Sequence, residues 1–197
     1  MAPAASRNSS ARMKLAVYLR RSRRQRLLMW GVGLLVFGAA VAADHAGLIY
    51  YSGGDWRQYH QKTFHVQRVI DGDTLIIDAS DGRDTTTRVR LWGINAPELA
   101  RPDIQKPAEP FAERSAARLR ALAEGESVTL RLQGHRLRDM YDRLLAYVDL
   151  PDGSTLNRRM VDEGLARADG RWPHDARREY ELAEDEAQLR RRGMWER

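Results

Sequence analysis

"VIDGDTLII", residues 69–77, places two apolar runs on either side of Asp71-Gly72-Asp73. An Asp-Gly step between β-branched and apolar runs is a hairpin signal, so Asp71 and Gly72 are expected to make a bend between two antiparallel strands. Working outward, "FHVQRVI" (64–70) and "TLIIDA" (74–79) are the two arms. After a second turn at Ser80-Asp81-Gly82, "TTTRVRLWGI" (85–94) supplies a third strand of the same meander.

The next stretch, "NAPELARPDIQKPAEP", carries four prolines and reads as a long loop, because proline removes a ladder donor and fixes its own φ. A helix is expected over 110–126, with Pro110 at its first position and Gly125 at its end. Phe111, Ala112, Ser115, Ala116, Leu119 and Leu122 would form its apolar stripe. Two more strands (127–134 and 143–150) and two more helices (154–168 and 175–193) complete the pattern, and no internal repeat is present. The order βββ-α-ββ-α-α with short strands predicts an α+β fold, mainly β: a five-stranded OB-fold barrel with three helices.

Charge divides the chain. Residues 1–43 hold eight Lys and Arg and no acid, whereas residues 55–197 hold 25 basic and 26 acidic side chains. The net charge of +6 therefore belongs to the N-terminal segment, and any nucleic-acid site must come from local geometry and not from bulk basicity. With no cysteine, disulfide scaffolds, thiolate zinc sites and a cysteine nucleophile are excluded.

The basic block within 1–26 precedes seventeen uncharged residues (27–43), the order of a signal n-region and h-region. A membrane-spanning helix needs roughly 20 residues, so 27–51 is expected to be either an uncleaved transmembrane signal anchor or a signal peptide cleaved near Ala42 or Ala43. In both cases the rest of the chain would lie outside the cytoplasm, anchored or secreted. Residues 52–62 read as a polar linker with a Gly-Gly pair, and 63–197 as one folded domain, expected to be monomeric.

Carboxylates and arginines gather at the predicted strand ends: Asp71 and Asp73 at the first turn, Arg88 and Arg90 on one face of the third strand, Glu98 in the proline-rich loop and Arg143 at the start of the fifth strand. Phosphodiester cleavage calls for this composition. Carboxylate oxygens suit a hard cation, guanidinium groups grip phosphate oxygens, and a further carboxylate can orient or deprotonate water. Taken singly, each residue has a plainer use: Asp71-Gly72-Asp73 as a turn, Arg90 as a solvated or ion-paired strand residue, Glu98 as a cap, and Arg143 as the partner of Asp139 or Asp142.

Read in order, "VIDGDTLII", "RVRLWGINAPE", "DMYDRLLAYV" and "LNRRMVDEGLARA" resemble the staphylococcal nuclease (thermonuclease) family over roughly residues 64–197. The resemblance implies an OB barrel with three helices and Ca²⁺-dependent hydrolysis of DNA and RNA at the bond to the 5′ oxygen. It implies Asp73, Asn95 and the Ala96 carbonyl as metal ligands, and Arg90 and Arg143 as phosphate-binding arginines. Glu98 would be the general base or water-orienting carboxylate, with Tyr141 and Trp172 lining the nucleotide pocket.

Two positions depart from the family pattern. Asn95 stands where an aspartate is usual, which removes a charge from the metal site, and Asp142 stands where the pattern has glycine, at a position requiring a left-handed backbone. The alternative reading is a catalytically inactive OB module that binds nucleic acid or a protein partner.

Overall fold

The computed structural model describes residues 25, 28–39, 52–82, 84–134 and 136–196. Residues 1–53 and 54–197 form two separate units. In the first, 28–39 are helical. No described helix is long and apolar enough to cross a membrane. Much of the anchor or signal peptide expected over 27–51, including the cleavage positions Ala42 and Ala43, lies outside the described residues.

The second unit is built on a closed five-stranded barrel. Its strands are β1 (Lys62–Val69), β2 (Thr74–Ile77), β3 (Thr87–Leu91), β5 (Ser127–Arg131) and β6 (Leu144–Asp149), arranged β1-β2-β3-β6-β5. The first three form the expected meander, with Leu75 opposite both Val69 and Val89. Closure comes from β3 running parallel to β6, Val89 facing Leu144, and from β5 pairing with β1. A closed barrel leaves no unpaired edge. All four residues of β2 are buried, because the strand is covered on both faces.

Helix α2 (Ala112–Ala123) buries Ala112, Ser115, Ala116, Leu119 and Ala123, a stripe at helical spacing. It begins two residues later than the reading from Pro110 expected, because Phe111 adopts a left-handed conformation at the N-cap (φ 69°, ψ −1°). Helices α3 (Leu156–Asp162) and α4 (Arg177–Leu189) are both shorter than the stretches read for them. The end of the 154–168 segment is instead a short strand, β7 (Arg167–Ala168), paired with β4 (Ile94–Asn95).

That ribbon is possible because the expected strand 85–94 breaks. Gly93 takes φ +78°, and a Cβ there would lie 2.4 Å from the His174 ring. The polar stretch 52–62, read as a linker, contains helix α1 (Ser52–Tyr59), whose last residue is fully buried. The Tyr59 hydroxyl lies 2.9 Å from Thr87 Oγ1 and donates to the Ser80 carbonyl, tying the helix to the barrel.

Asn157, fully buried on α3, holds the functional end of the barrel together. Its amide donates to the Trp92 and Ala146 carbonyls, and its oxygen accepts the Val148 N–H. A buried amide is stable only when its donors and acceptor are met in this way.

Candidate active site

Asp73 sits at the centre of the site. Asp71 closes the turn by accepting the Asp73 N–H at 3.0 Å, while the Ile70 N–H reaches the Thr74 carbonyl at 2.9 Å. Gly72 allows this bend to press against its neighbours, since a Cβ would come within 2.1 Å of Ser115 Oγ and 2.6 Å of the Ala96 methyl. The turn delivers Asp73 into the protein interior, where it is 5% exposed.

A continuous polar chain runs from this carboxylate in two directions. Arg90 Nη1 is 2.5 Å from Asp73 Oδ2, and Arg90 Nη2 donates to Asn95 Oδ1 at 3.1 Å. Ala96 N–H donates to the same Asp73 Oδ2 at 2.7 Å. On the other side Thr74 Oγ1 donates to Asp73 Oδ1 at 3.0 Å and accepts from Arg143 Nη1 at 3.1 Å. Asp139 then holds Arg143 through two contacts of 2.7 Å and accepts the N–H groups of Tyr141 and Arg143. Of the two acids open as partners of Arg143 from sequence, the geometry selects Asp139. Asp142 takes the left-handed conformation, φ 61°, that its place in the motif requires.

The electrostatics follow from burial. It pushes the Asp73 carboxyl up to about 7, against the pull of the Arg90 guanidinium beside it. Burial also pushes Asp139 upward, but the N–H of Arg143, its guanidinium and the Tyr141 N–H outweigh it and hold that carboxyl below its ordinary value. Arg90 is under-satisfied: Nη1 is buried and touches Asp73 at ion-pair distance without a well-directed hydrogen bond.

These groups open onto a cleft of about 350 Å³. Arg90, Asn95, Glu98, Tyr141, Arg143 and Trp172 all line it; Asp73 and Ala96 stand behind its wall. Glu98 is solvent-exposed, and its main chain is fixed by Glu109, which accepts the Glu98 N–H at 3.1 Å and donates its own N–H to the Glu98 carbonyl at 2.9 Å. The cleft also contains residues that the sequence did not single out. Arg136 lies over the Trp172 ring at 4.3 Å, Asp169 is paired with Arg171, and His174 is buried with its imidazole pulled below its ordinary pKa by desolvation. Only Thr74, the fourth residue of the Asp-Gly-Asp-Thr stretch, had a local signal.

The model of the staphylococcal nuclease homologue family matches residues 88–197. The thermonuclease of Staphylococcus intermedius is 39% identical over 137 residues, covering 69% of this chain and 77% of its own length. The chain belongs to the staphylococcal nuclease family. It is a nuclease, a hydrolase of phosphodiester bonds. The thermonuclease of Staphylococcus hyicus is 32% identical over 137 residues, and endonuclease YncB of Bacillus subtilis is 30% identical over 132, where the chain spans 60% of the relative. The family match takes in Arg90, Asn95, Ala96, Glu98, Tyr141, Arg143 and Trp172. Asp73 lies before the matched region and is tied to the matched residues by its contacts with Arg90 and Ala96.

Among the described residues no group of three or more His, Cys, Asp and Glu is placed to hold a metal. The oxygens of Asp73 and Asn95 nevertheless converge on one positive group, the Arg90 guanidinium. An all-oxygen set with a single carboxylate fits a hard cation that keeps much of its water, and not a soft or transition metal.

Proposed function

We propose that the chain hydrolyses DNA and RNA with little sequence preference, with Ca²⁺ as its cofactor, releasing the 5′ oxygen as leaving group. The observation that carries this reading is the convergence of Arg90, Glu98 and Arg143 on one cleft, with Arg90 ion-paired to Asp73 and Arg143 linked to it through the Thr74 hydroxyl. Arg90 and Arg143 would hold the non-bridging oxygens of the scissile phosphate and stabilise the charge that builds as the phosphorus becomes five-coordinate. Glu98, exposed at the cleft mouth, would orient a water and accept its proton during attack; the departing 5′ oxygen would take its proton from solvent as the P–O bond breaks. Asp73, Asn95 and the Ala96 carbonyl would hold the ion, which supplies Lewis-acid polarisation of a phosphoryl oxygen. Tyr141 and Trp172 supply ring faces for the sugar and base.

Export is part of the same proposal. Residues 27–51 would anchor the enzyme domain outside the cytoplasm, or release it when cleaved, and the enzyme would act as a monomer. The support is the run of uncharged residues behind an N-terminal segment with eight basic and no acidic side chains.

The full chain should degrade single-stranded DNA in Ca²⁺ and stop when a chelator is added. Protein that binds oligonucleotides but cuts none with any divalent cation would instead be the non-catalytic OB module. Membrane fractionation tests the anchor: recovery of the chain in the cytoplasmic soluble fraction refutes export.

A further inference from the structure

A second groove, of about 700 Å³, shares Asn95 with the cleft and continues over Pro97, Pro110, Phe111, Arg167 and Trp195. Three features give it the character of a binding surface. Arg167 faces Asn95 across the β4–β7 ribbon and is exposed; among the described residues its side chain makes no ion pair or hydrogen bond, and its guanidinium lies over Trp195 at 5.0 Å. The pairing repeats that of Arg136 over Trp172 in the cleft, so each groove presents an arginine seated on an indole; Arg167 acts on Glu109 and Glu184 through space, with neither at ion-pair distance.

Phe111 is the second feature. It is a bulky residue held in the left-handed region, a conformation that costs on the order of 1 kcal/mol or more and persists only where surrounding contacts impose it. The strain places an incompletely buried ring on the groove wall. The third feature is Glu109, the carboxylate on this wall, which is occupied by Lys106 at 3.3 Å and by the Glu98 N–H, so its charge is offset.

We propose that this groove is a second strand-binding subsite. A single-stranded nucleic acid with its scissile phosphate in the cleft would continue past Asn95, stack a base on Phe111 and lay a phosphate against Arg167. Aromatic faces next to exposed arginines are the chemistry that holds single strands without reading their sequence. The inference rests on the nuclease reading of the cleft for its continuity, and its test separates the two.

Arg167→Gln and Phe111→Leu would be made in the full chain and compared with wild type on two substrates, a dinucleotide and a 20-mer. An OB-type surface covers about 4 to 16 nucleotides, so about 20 would fill both grooves. Both variants should raise KM for the 20-mer about fivefold or more and leave dinucleotide kinetics unchanged. Fluorescence anisotropy of a labelled 20-mer in chelator should show the same loss of binding, with the salt dependence of Arg167→Gln shallower by about 0.7 in log-log slope. Unchanged anisotropy, or equal losses on both substrates, overturns the subsite. If wild type cuts neither substrate, the nuclease reading fails while anisotropy still decides the groove. Because Arg167 is exposed, its variant keeps the test open should Phe111→Leu fail to fold.

Discussion

Arg90 and Arg138 are both arginines withdrawn from solvent beside carboxylates, and they do different work. Arg138 is 18% exposed in its side chain and saturated: Asp55 and Asp81 each bind it through two hydrogen bonds of 2.6–2.9 Å, and the Asp142 carbonyl takes a further one. These hydrogen bonds, led by those from Asp55, hold its proton more firmly than usual. Arg90 has one carboxylate, one amide oxygen and a buried nitrogen that lacks a directed acceptor. A guanidinium with every donor met is a clamp, here fastening α1 to the loop before β3 and the loop before β6. One held incompletely at the wall of a cleft keeps donors for a phosphate. The contrast lies in satisfaction and access, not in residue type.

Swapping the two residues in turn sharpens that contrast. Arg90→Gln or Arg143→Gln should lower kcat by about 10² to 10³, the usual effect of removing one donor to a charged transition state. Each strands one carboxylate, Asp73 or Asp139, so chemical denaturation should show a stability loss smaller than for an arginine that holds two. Arg138→Gln should do the reverse, costing on the order of 3 kcal/mol because Asp55 and Asp81 lose their common partner. Its kcat, measured well below the unfolding midpoint, should stay near wild type. An Arg138 variant that is stable but inactive would place Arg138 in the catalytic machinery and not in the clamp.

Asp73 gives the next effect, on the metal-free protein. Its carboxyl titrates near 7 when folded and about 3.9 when unfolded, so the folded state binds the proton more tightly. Stability must then fall as pH rises from about 4 towards 7, by up to about 1.4 kcal/mol per pH unit. Urea titrations in chelator should find this slope in wild type and lose it in Asp73→Asn; equal slopes would contradict the assignment. For the same reason cation binding should release a proton near neutral pH and weaken below it. Smallest is Tyr141→Ala. The Tyr141 ring lies 5.4 Å from the Arg143 guanidinium and is mostly exposed, so removing it should raise KM about two- to fivefold and leave kcat unaltered.

The barrel was legible because its strands have apolar runs and turn residues at the right places, and Asp71-Gly72 is the bend the composition indicates. Helix α1 was not, because "SGGDWRQY" has no apolar stripe and is held by one buried tyrosine and by Arg138, 83 positions from Asp55. The β4–β7 ribbon was missed because "RLWGIN" reads as continuous strand until the space taken by His174 is known. Arg136 reaches the cleft from the loop before β6, and Asp169 and His174 from the loop before α4, at spacings that carry no signal. The two-residue delay of α2 is the strained Phe111, a conformation that no propensity would assign to phenylalanine.

Glu98 is the exposed acid of the cleft and the group that would take the proton from the attacking water. Single-turnover cleavage of a labelled oligonucleotide by the full chain in Ca²⁺ should slow by about 10² to 10⁴ in Glu98→Gln, with oligonucleotide binding unchanged. Equal cleavage by variant and wild type would mean that Glu98 takes no part in the proton transfer.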